Sequence, residues 1–156
     1  MPDWLFLSSA LPPHRRKLEM LHTLPLEEFV KTVAERYNAV PSEAMKNHEA
    51  LNLFGHILQS DFQLLELHHY SPECPLPTMF AVFGGRSDPS TPRAELAEWR
   101  DYTSRREQFQ MTLFDGDHFY LVTQREQLTA EIVRLIQRVP NAMSVRANNA
   151  QVPSGW

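Results

Sequence analysis

The sequence has one cysteine, five glycines and no long hydrophobic run. Cys74 alone excludes an intramolecular disulfide framework, and it favours a reducing compartment, which for this chain we expect to be the cytoplasm. Because no apolar stretch approaches the roughly 18 residues of a membrane-spanning helix, the sequence does not indicate a membrane protein. The run "WLFLSSALPP" has no basic leader before it and no small-residue cleavage site after it, so we expect no signal peptide.

A strong charge of one sign is absent as well. The formal net charge is −4, and the basic clusters at 14–17 and 105–106 are short, which is typical of solvated surface rather than of a nucleic-acid site. Aromatic residues recur at helical spacing, which indicates core packing rather than a stacking platform for single strands. We therefore expect neither nucleic acid nor a membrane as a partner.

The remaining composition is that of a globular domain with a real core. Of the 156 residues, 42% are hydrophobic and 22% are charged. Residues 1–140 carry the periodic patterns and are predicted to form one domain. The tail, residues 141–156, is polar and has no period, so it is predicted to be disordered.

Two kinds of hydrophobic pattern occur along residues 1–140. Apolar runs closed by turn residues predict three buried strands, at 4–10, 78–85 and 109–114. Apolar spacings of three and four predict a helix over 24–38, with Asn38 as its stop, and a helical region over 42–69, capped by Ser42 and divided into two pieces. These helices, at about 25–70, could form a lid over a site, although ordinary core packing explains the same periodicity.

Capping signals place two further helices. Thr91 is predicted to cap a helix whose first residue is Pro92, and "TQRE" at 123–126 matches a capping box that opens a helix ended by Pro140. Strand and helix therefore alternate over 78–138. This order predicts a right-handed βαβ unit in a mostly parallel sheet of few strands, so the fold class is α/β.

Two polar residues follow the predicted strands at the ends where such folds bind ligands. Asp88 comes just after the second strand, and His118 comes just after the third. If these strands are neighbours, roughly 5 Å apart, the carboxylate could accept a hydrogen bond from one ring nitrogen and leave the other free as a base. The alternative is a turn or capping role for Asp88 and a surface position for His118.

The surrounding motifs resemble those of a known family. "PLPTMFAVFGGRSDPSTPRAELAEWRDYT", followed by "FQMTLFDGDHFYL", closely resembles the C-terminal half of type II thioesterases, the α/β-hydrolase editing enzymes of nonribosomal peptide and polyketide synthesis. In that family a Gly-Gly-x-x-Asp-Pro loop carries the triad aspartate and a Gly-His-Phe-Phe-like loop carries the triad histidine. The resemblance covers about residues 5–137. Asp117 stands where the family usually has glycine before the histidine, and a carboxylate there favours a protonated imidazole.

The resemblance implies a fold and a function. It implies a partial α/β-hydrolase fold with a helical lid insertion, and hydrolysis of acyl thioesters on an acyl or peptidyl carrier protein that bears a phosphopantetheine arm. It implies His118 as general base and then acid, and Asp88 as the carboxylate that orients it. No cofactor is implied.

The nucleophile of such an enzyme is missing from the sequence. An α/β-hydrolase triad begins with a serine in G-x-S-x-G, and no such motif occurs in these residues. Ser8 and Ser9 lead into prolines without flanking glycines, and Cys74 in its proline-rich hinge is expected to be inert. Since losing a triad serine costs on the order of a millionfold in turnover, we expect the chain alone to be catalytically silent.

Three explanations are open for a thioesterase without its nucleophile. The chain is a truncated product, or one half of a split enzyme completed by an N-terminal half, or an inactive module that binds a carrier protein. The first is favoured because nothing in residues 1–140 indicates a new function. A metal site formed by Asp115, Asp117 and His118, joined by His68 and His69, is a different alternative, but its spacing matches no recognised site.

Overall fold

A computed structural model describes residues 2–15, 19–37 and 48–138. Its centre is a sheet of three parallel strands in the order β1-β2-β3, which are Trp4–Ser8, Met79–Gly85 and Gln110–Phe114. The prediction of three strands in a parallel sheet is confirmed, but only β2 is buried along its whole length, and the edge strands β1 and β3 are mostly half-buried. The first strand is shorter than predicted because Ser9 takes a positive φ of 43° and turns the chain away.

The central strand, β2, is the core of the sheet. Phe80, Ala81, Val82 and Phe83 are each 0 or 1% exposed, as expected for a strand with neighbours on both edges and helices against its faces. The ring of Phe83 lies against Phe6 of β1 and Phe114 of β3, with both centroid distances 6.1 Å. These aromatic contacts tie the three strands together across one face.

Two helices between β1 and β2 form a second apolar cluster. Helix α1 is Leu26–Tyr37 and helix α2 is His48–Leu67. Phe29, Val30 and Val33 on the inner stripe of α1 are buried, and Phe29 meets Phe62 of α2 edge to face at 5.2 Å. The described part of the predicted 42–69 region is one helix rather than two pieces. Asn38, Ser42 and residues 43–47 lie outside the described residues.

Between β2 and β3 lies helix α3, Arg93–Ala97, which continues as a 3₁₀ turn over Glu98–Tyr102. The predicted Thr91 cap is wrong. Pro92 is the N-cap, no side chain caps the helix, and the Thr91 hydroxyl bonds to Asp88 instead. The helix begins one residue later than predicted, so Thr91 precedes the N-cap position.

The predicted capping box at 123–126 is also wrong. Thr123 ends a short helix, α4 (Tyr120–Thr123), and its hydroxyl donates to the Tyr120 carbonyl at 3.2 Å. The chain divides into two compact units, residues 1–124 and residues 125–156. In the second unit the structure describes helix α5, Arg125–Gln137. Pro140 and the tail predicted to be disordered lie outside the described residues.

Candidate active site

The loops after β2 and β3 are held together by backbone hydrogen bonds at the carboxyl edge of the sheet. The Arg86 N–H donates to the Phe114 carbonyl at 2.8 Å, and the Ser87 N–H donates to the Gly116 carbonyl at 2.9 Å. Gly116 has a φ of +133°, a conformation open to glycine and strained for other residues. The sequence therefore builds two adjoining loops, one carrying Asp88 and the other His118.

Asp88 and His118 meet as the sequence predicted. Oδ2 of Asp88 lies 2.9 Å from Nδ1 of His118. The aspartate side chain is 1% exposed, whereas the histidine side chain is 24% exposed. The carboxylate is thus a buried partner, and the ring remains accessible from one side. The prediction that the two strand ends bring these groups together is confirmed.

Two hydroxyl side chains that the sequence analysis missed complete the surroundings of the carboxylate. Ser90 donates to Oδ1 of Asp88 through its backbone N–H at 2.9 Å and its hydroxyl at 2.6 Å, and Thr91 donates to Oδ2 at 2.7 Å. Burial by itself raises the pKa of the Asp88 carboxyl, but the hydrogen bonds from Ser90, Thr91 and His118 outweigh burial and hold that pKa below its usual range. Asp88 is therefore ionised at neutral pH.

The histidine loop is anchored from beneath by Tyr120. This side chain is fully buried, lies parallel to the Phe114 ring at 5.3 Å, and shares a hydrogen bond of 2.7 Å with the Ser8 hydroxyl at the end of β1. The carboxylate of Asp117 accepts the Phe119 N–H at 2.9 Å. The carboxylate that replaces the family's glycine thus makes a hydrogen bond within its own loop.

Above the pair lies an open cleft of about 1260 Å³. His118 lies on its wall, and the ring of Tyr37, at the end of α1, contacts the His118 ring with centroids 5.0 Å apart. No local pattern marks Tyr37 for this contact. Apolar side chains from the helical region form much of the remaining wall: Leu21, Val33, Leu58, Phe62 and Leu65.

Of the alternative nucleophile and metal ligands, His68 and His69 line the same cleft as His118, and Cys74, Asp115 and Asp117 do not. Cys74 is an exposed free thiol. Asp115 faces Arg86, 2.9 Å from its guanidinium. Within residues 2–15, 19–37 and 48–138, no three His, Cys, Asp or Glu side chains come together in a group that could hold a metal ion. Over the same residues no helix has both the length and the apolarity to cross a membrane.

Comparison with known proteins gives consistent matches over nearly the whole chain. The family model described as "Thioesterase domain" matches residues 1–138. "Linear gramicidin dehydrogenase LgrE" of Brevibacillus parabrevis is 35% identical over 140 residues, which are 87% of this chain and 52% of that protein. "Thioesterase PikA5" of Streptomyces venezuelae is 28% identical over 131 residues, which are 84% of this chain and 46% of that protein.

Among solved structures, ClbQ from the colibactin NRPS/PKS pathway aligns with a TM-score of 0.78 at 28% identity. The alignment covers 88% of this chain and 57% of ClbQ. The chain therefore spans about half the length of the relatives it matches.

Proposed function

The chain belongs to the thioesterase family, and from this premise we propose that residues 1–138 carry the acid–base half of a thioester hydrolase. The observation that carries the proposal is the 2.9 Å hydrogen bond between Asp88 and Nδ1 of His118, because it leaves Nε2 available at the cleft. A buried carboxylate on one ring nitrogen orients the imidazole and stabilises the imidazolium that forms when the other nitrogen takes a proton.

The proposed reaction runs in two stages. A serine hydroxyl attacks the thioester carbonyl and gives its proton to Nε2 of His118; the tetrahedral intermediate then collapses, and the leaving thiolate takes that proton. In the second stage water gives a proton to His118 and attacks the acyl-serine ester. Collapse returns the proton to the serine oxygen and releases the carboxylic acid. Asp88 stays ionised throughout and stabilises the charged ring.

We propose that the serine comes from residues outside this sequence, either from the same polypeptide or from a complementing N-terminal half. Two facts support this: no G-x-S-x-G occurs in the 156 residues, and the relatives are about twice as long as the matched region. The name of the first relative says dehydrogenase. The family model and the name of the second relative both say thioesterase, which favours the thioesterase function.

We propose an acyl group on a phosphopantetheine-bearing carrier protein as the substrate, and the cytoplasm as the compartment. The support is that ClbQ is described as a protein of an NRPS/PKS pathway and that PikA5 is named a thioesterase. The apolar side chains that α2 presents to the cleft, Leu58, Phe62 and Leu65, suit an acyl chain, so the region about 25–70 is proposed to be the lid of the site. The second candidate is a silent carrier-binding module. The exposed apolar side chains of α2, among them Leu53, Phe54 and Leu64, favour it.

An assembled enzyme tests this function. Residues 1–138 are joined to the part of PikA5 that precedes the matched region, and release of the acyl group from an acyl-carrier thioester is measured. We expect turnover from the assembled enzyme and none from the chain alone. Substitutions His118→Gln and Asp88→Asn should each reduce kcat by about 10⁴ or more.

His56→Gln is the matched control, since His56 is an exposed residue of α2 that does not line the cleft; its kcat should stay within a few-fold of the parent. Hydrolysis by the chain alone would contradict the proposal, as would full activity of His118→Gln. Saturable binding of the carrier protein by the chain, with no turnover from the assembled enzyme, would favour the silent module.

A further inference from the structure

The Asp88 carboxylate is surrounded by donors from its own loop. Both of its oxygens are used twice: Oδ1 accepts the Ser90 N–H and the Ser90 hydroxyl, and Oδ2 accepts the Thr91 hydroxyl and Nδ1 of His118. The Asp88 side chain is only 1% exposed, and burying an ionised carboxylate costs a large desolvation free energy unless donors such as these compensate for it. These contacts fix how the carboxylate plane is turned toward the imidazole.

The hydroxyl of Ser90 also lies within hydrogen-bonding distance of the His118 ring. Its oxygen lies 3.2 Å from Nδ1 of His118, and its proton is directed at Oδ1 of Asp88, 2.6 Å away. The side of the hydroxyl that faces the ring is therefore a lone pair. Nδ1 then meets two acceptors, the Asp88 carboxylate and the Ser90 oxygen, and both favour a proton on Nδ1.

Neither hydroxyl is occupied by an ordinary helix-capping role. Helix α3 begins after Pro92 and has no side-chain cap, and the Thr91 hydroxyl donates to the carboxylate. Thr91 is itself only 4% exposed. A buried hydroxyl that donates to an ionised carboxylate makes a charge-assisted hydrogen bond, which is stronger than a bond between neutral groups.

We propose that Thr91 and Ser90 are positioning residues for the Asp88–His118 pair: their hydroxyl groups keep the carboxylate charged and turned so that Oδ2 faces Nδ1. They act through Asp88 and do not touch the reacting atoms. The inference deepens the proposed function and rests on it for its catalytic meaning. The effect of the two hydroxyl groups on the Asp88 carboxylate can be tested in the full chain without measuring hydrolysis.

The test follows the Asp88 carboxyl carbon by ¹³C NMR during a pH titration of the full chain. Thr91→Val keeps the shape of the side chain and removes the donor, so the titration midpoint of Asp88 should move to higher pH. Thr91→Ser restores a hydroxyl and should return the midpoint to that of the parent. Ser90→Ala, measured at the same atom, should move the midpoint in the same direction as Thr91→Val.

Ser104→Ala is the matched control, because this hydroxyl contacts the Leu76 carbonyl before β2, outside the Asp88 loop; the Asp88 midpoint should not move. An unchanged midpoint in both Thr91→Val and Ser90→Ala would overturn the proposal, as would a shift that Thr91→Ser fails to reverse. If the midpoints move as expected and the assembled enzyme hydrolyses no thioester, the positioning role stands and the proposed function falls.

Discussion

Gly85 is the residue on which the approach of the two site loops depends. A Cβ at this position would lie 2.1 Å from the Asp117 carbonyl oxygen and 2.6 Å from the Gly116 carbonyl oxygen. Both are backbone atoms, so neither can rotate away as the end of a side chain would. The second glycine of the pair at 84–85 therefore lets the histidine loop lie directly on β2, within reach of Asp88.

Gly85→Ala should accordingly lower the free energy of unfolding by about 1–3 kcal/mol, the usual cost of overpacking. It should also shift the NMR signals of the His118 ring, because the loop must move. Urea unfolding and ring spectra of the full chain check both effects.

Gly55→Ala is the control within α2. Its Cβ would meet the tip of the flexible Leu26 side chain at 2.9 Å, and alanine is favoured over glycine in a helix by about 1 kcal/mol. We expect a stability within about 1 kcal/mol of the parent and unchanged His118 signals. Equal behaviour of the two variants would contradict the role given to Gly85.

At the scale of single residues, the sequence predicted the Asp88–His118 pair but not the side chains that contact it. Asp88 and His118 were predicted because each follows a strand end, which is a local signal. Thr91 was misread because threonine before a proline-started helix is equally typical of a cap, and only coordinates show which acceptor its hydroxyl uses. The contact between Tyr37 and His118 joins positions far apart in the chain, and no local pattern encodes it.

At the scale of elements, α2 holds the segment that leads into α1. The Glu66 carboxylate accepts the N–H groups of Leu21 and His22 at 2.9 and 3.1 Å and lies 2.6 Å from the His22 ring. Gln59 of the same helix donates to the carbonyls of His22 and Leu24 at 2.9 and 2.8 Å. Two polar side chains thus satisfy a buried turn that would otherwise leave its backbone groups unpaired.

We expect Glu66→Gln to lower the free energy of unfolding by about 1–3 kcal/mol at pH 7, since the amide cannot accept all three donors. Burial by itself raises the pKa of the Glu66 carboxyl, but the bonds from His22 and Leu21 more than reverse this and lower it. The stabilisation is therefore complete above the ordinary glutamate pKa of about 4.3 and is lost as the pH falls through the folded-state value.

Urea unfolding at a series of pH values measures this contribution. The loss of stability in acid should be smaller in Glu66→Gln than in the parent chain. Asp61→Asn, at an exposed position of the same helix, should keep the parent's acid dependence. If Glu66→Gln lost as much stability in acid as the parent chain does, the Glu66 carboxylate would not be what stabilises the segment before α1.

The strands were predictable because each is a short apolar run closed by turn residues, and the longer helices because each has one strong hydrophobic period. The failures fall where two local signals compete. "TQRE" has the residues of a capping box, yet Thr123 is already the last residue of α4, a helix too short for its period to be visible. Ser9 ends β1 early through a backbone angle that serine rarely adopts and that no composition rule anticipates.

At the scale of the whole molecule, three parallel strands carry a carboxylate and an imidazole on neighbouring loops. The family could be inferred from sequence because its two loop motifs lie whole within these residues. No G-x-S-x-G motif occurs in the 156 residues, so the sequence offers no candidate for the serine of the proposed reaction. The geometry of the pair can therefore be tested in this chain, and the proposed turnover is tested in the assembled enzyme.

The most direct test of the central claim is the ¹⁵N NMR spectrum of the His118 ring, recorded at a pH where the imidazole is neutral. We predict a protonated Nδ1 and an unprotonated Nε2, with this tautomer lost in Asp88→Asn because the amide that keeps its oxygen toward Ser90 presents an NH2 donor to Nδ1. A proton on Nε2 in the parent chain, or a spectrum that Asp88→Asn leaves unchanged, would contradict the account of His118 as a base oriented by Asp88.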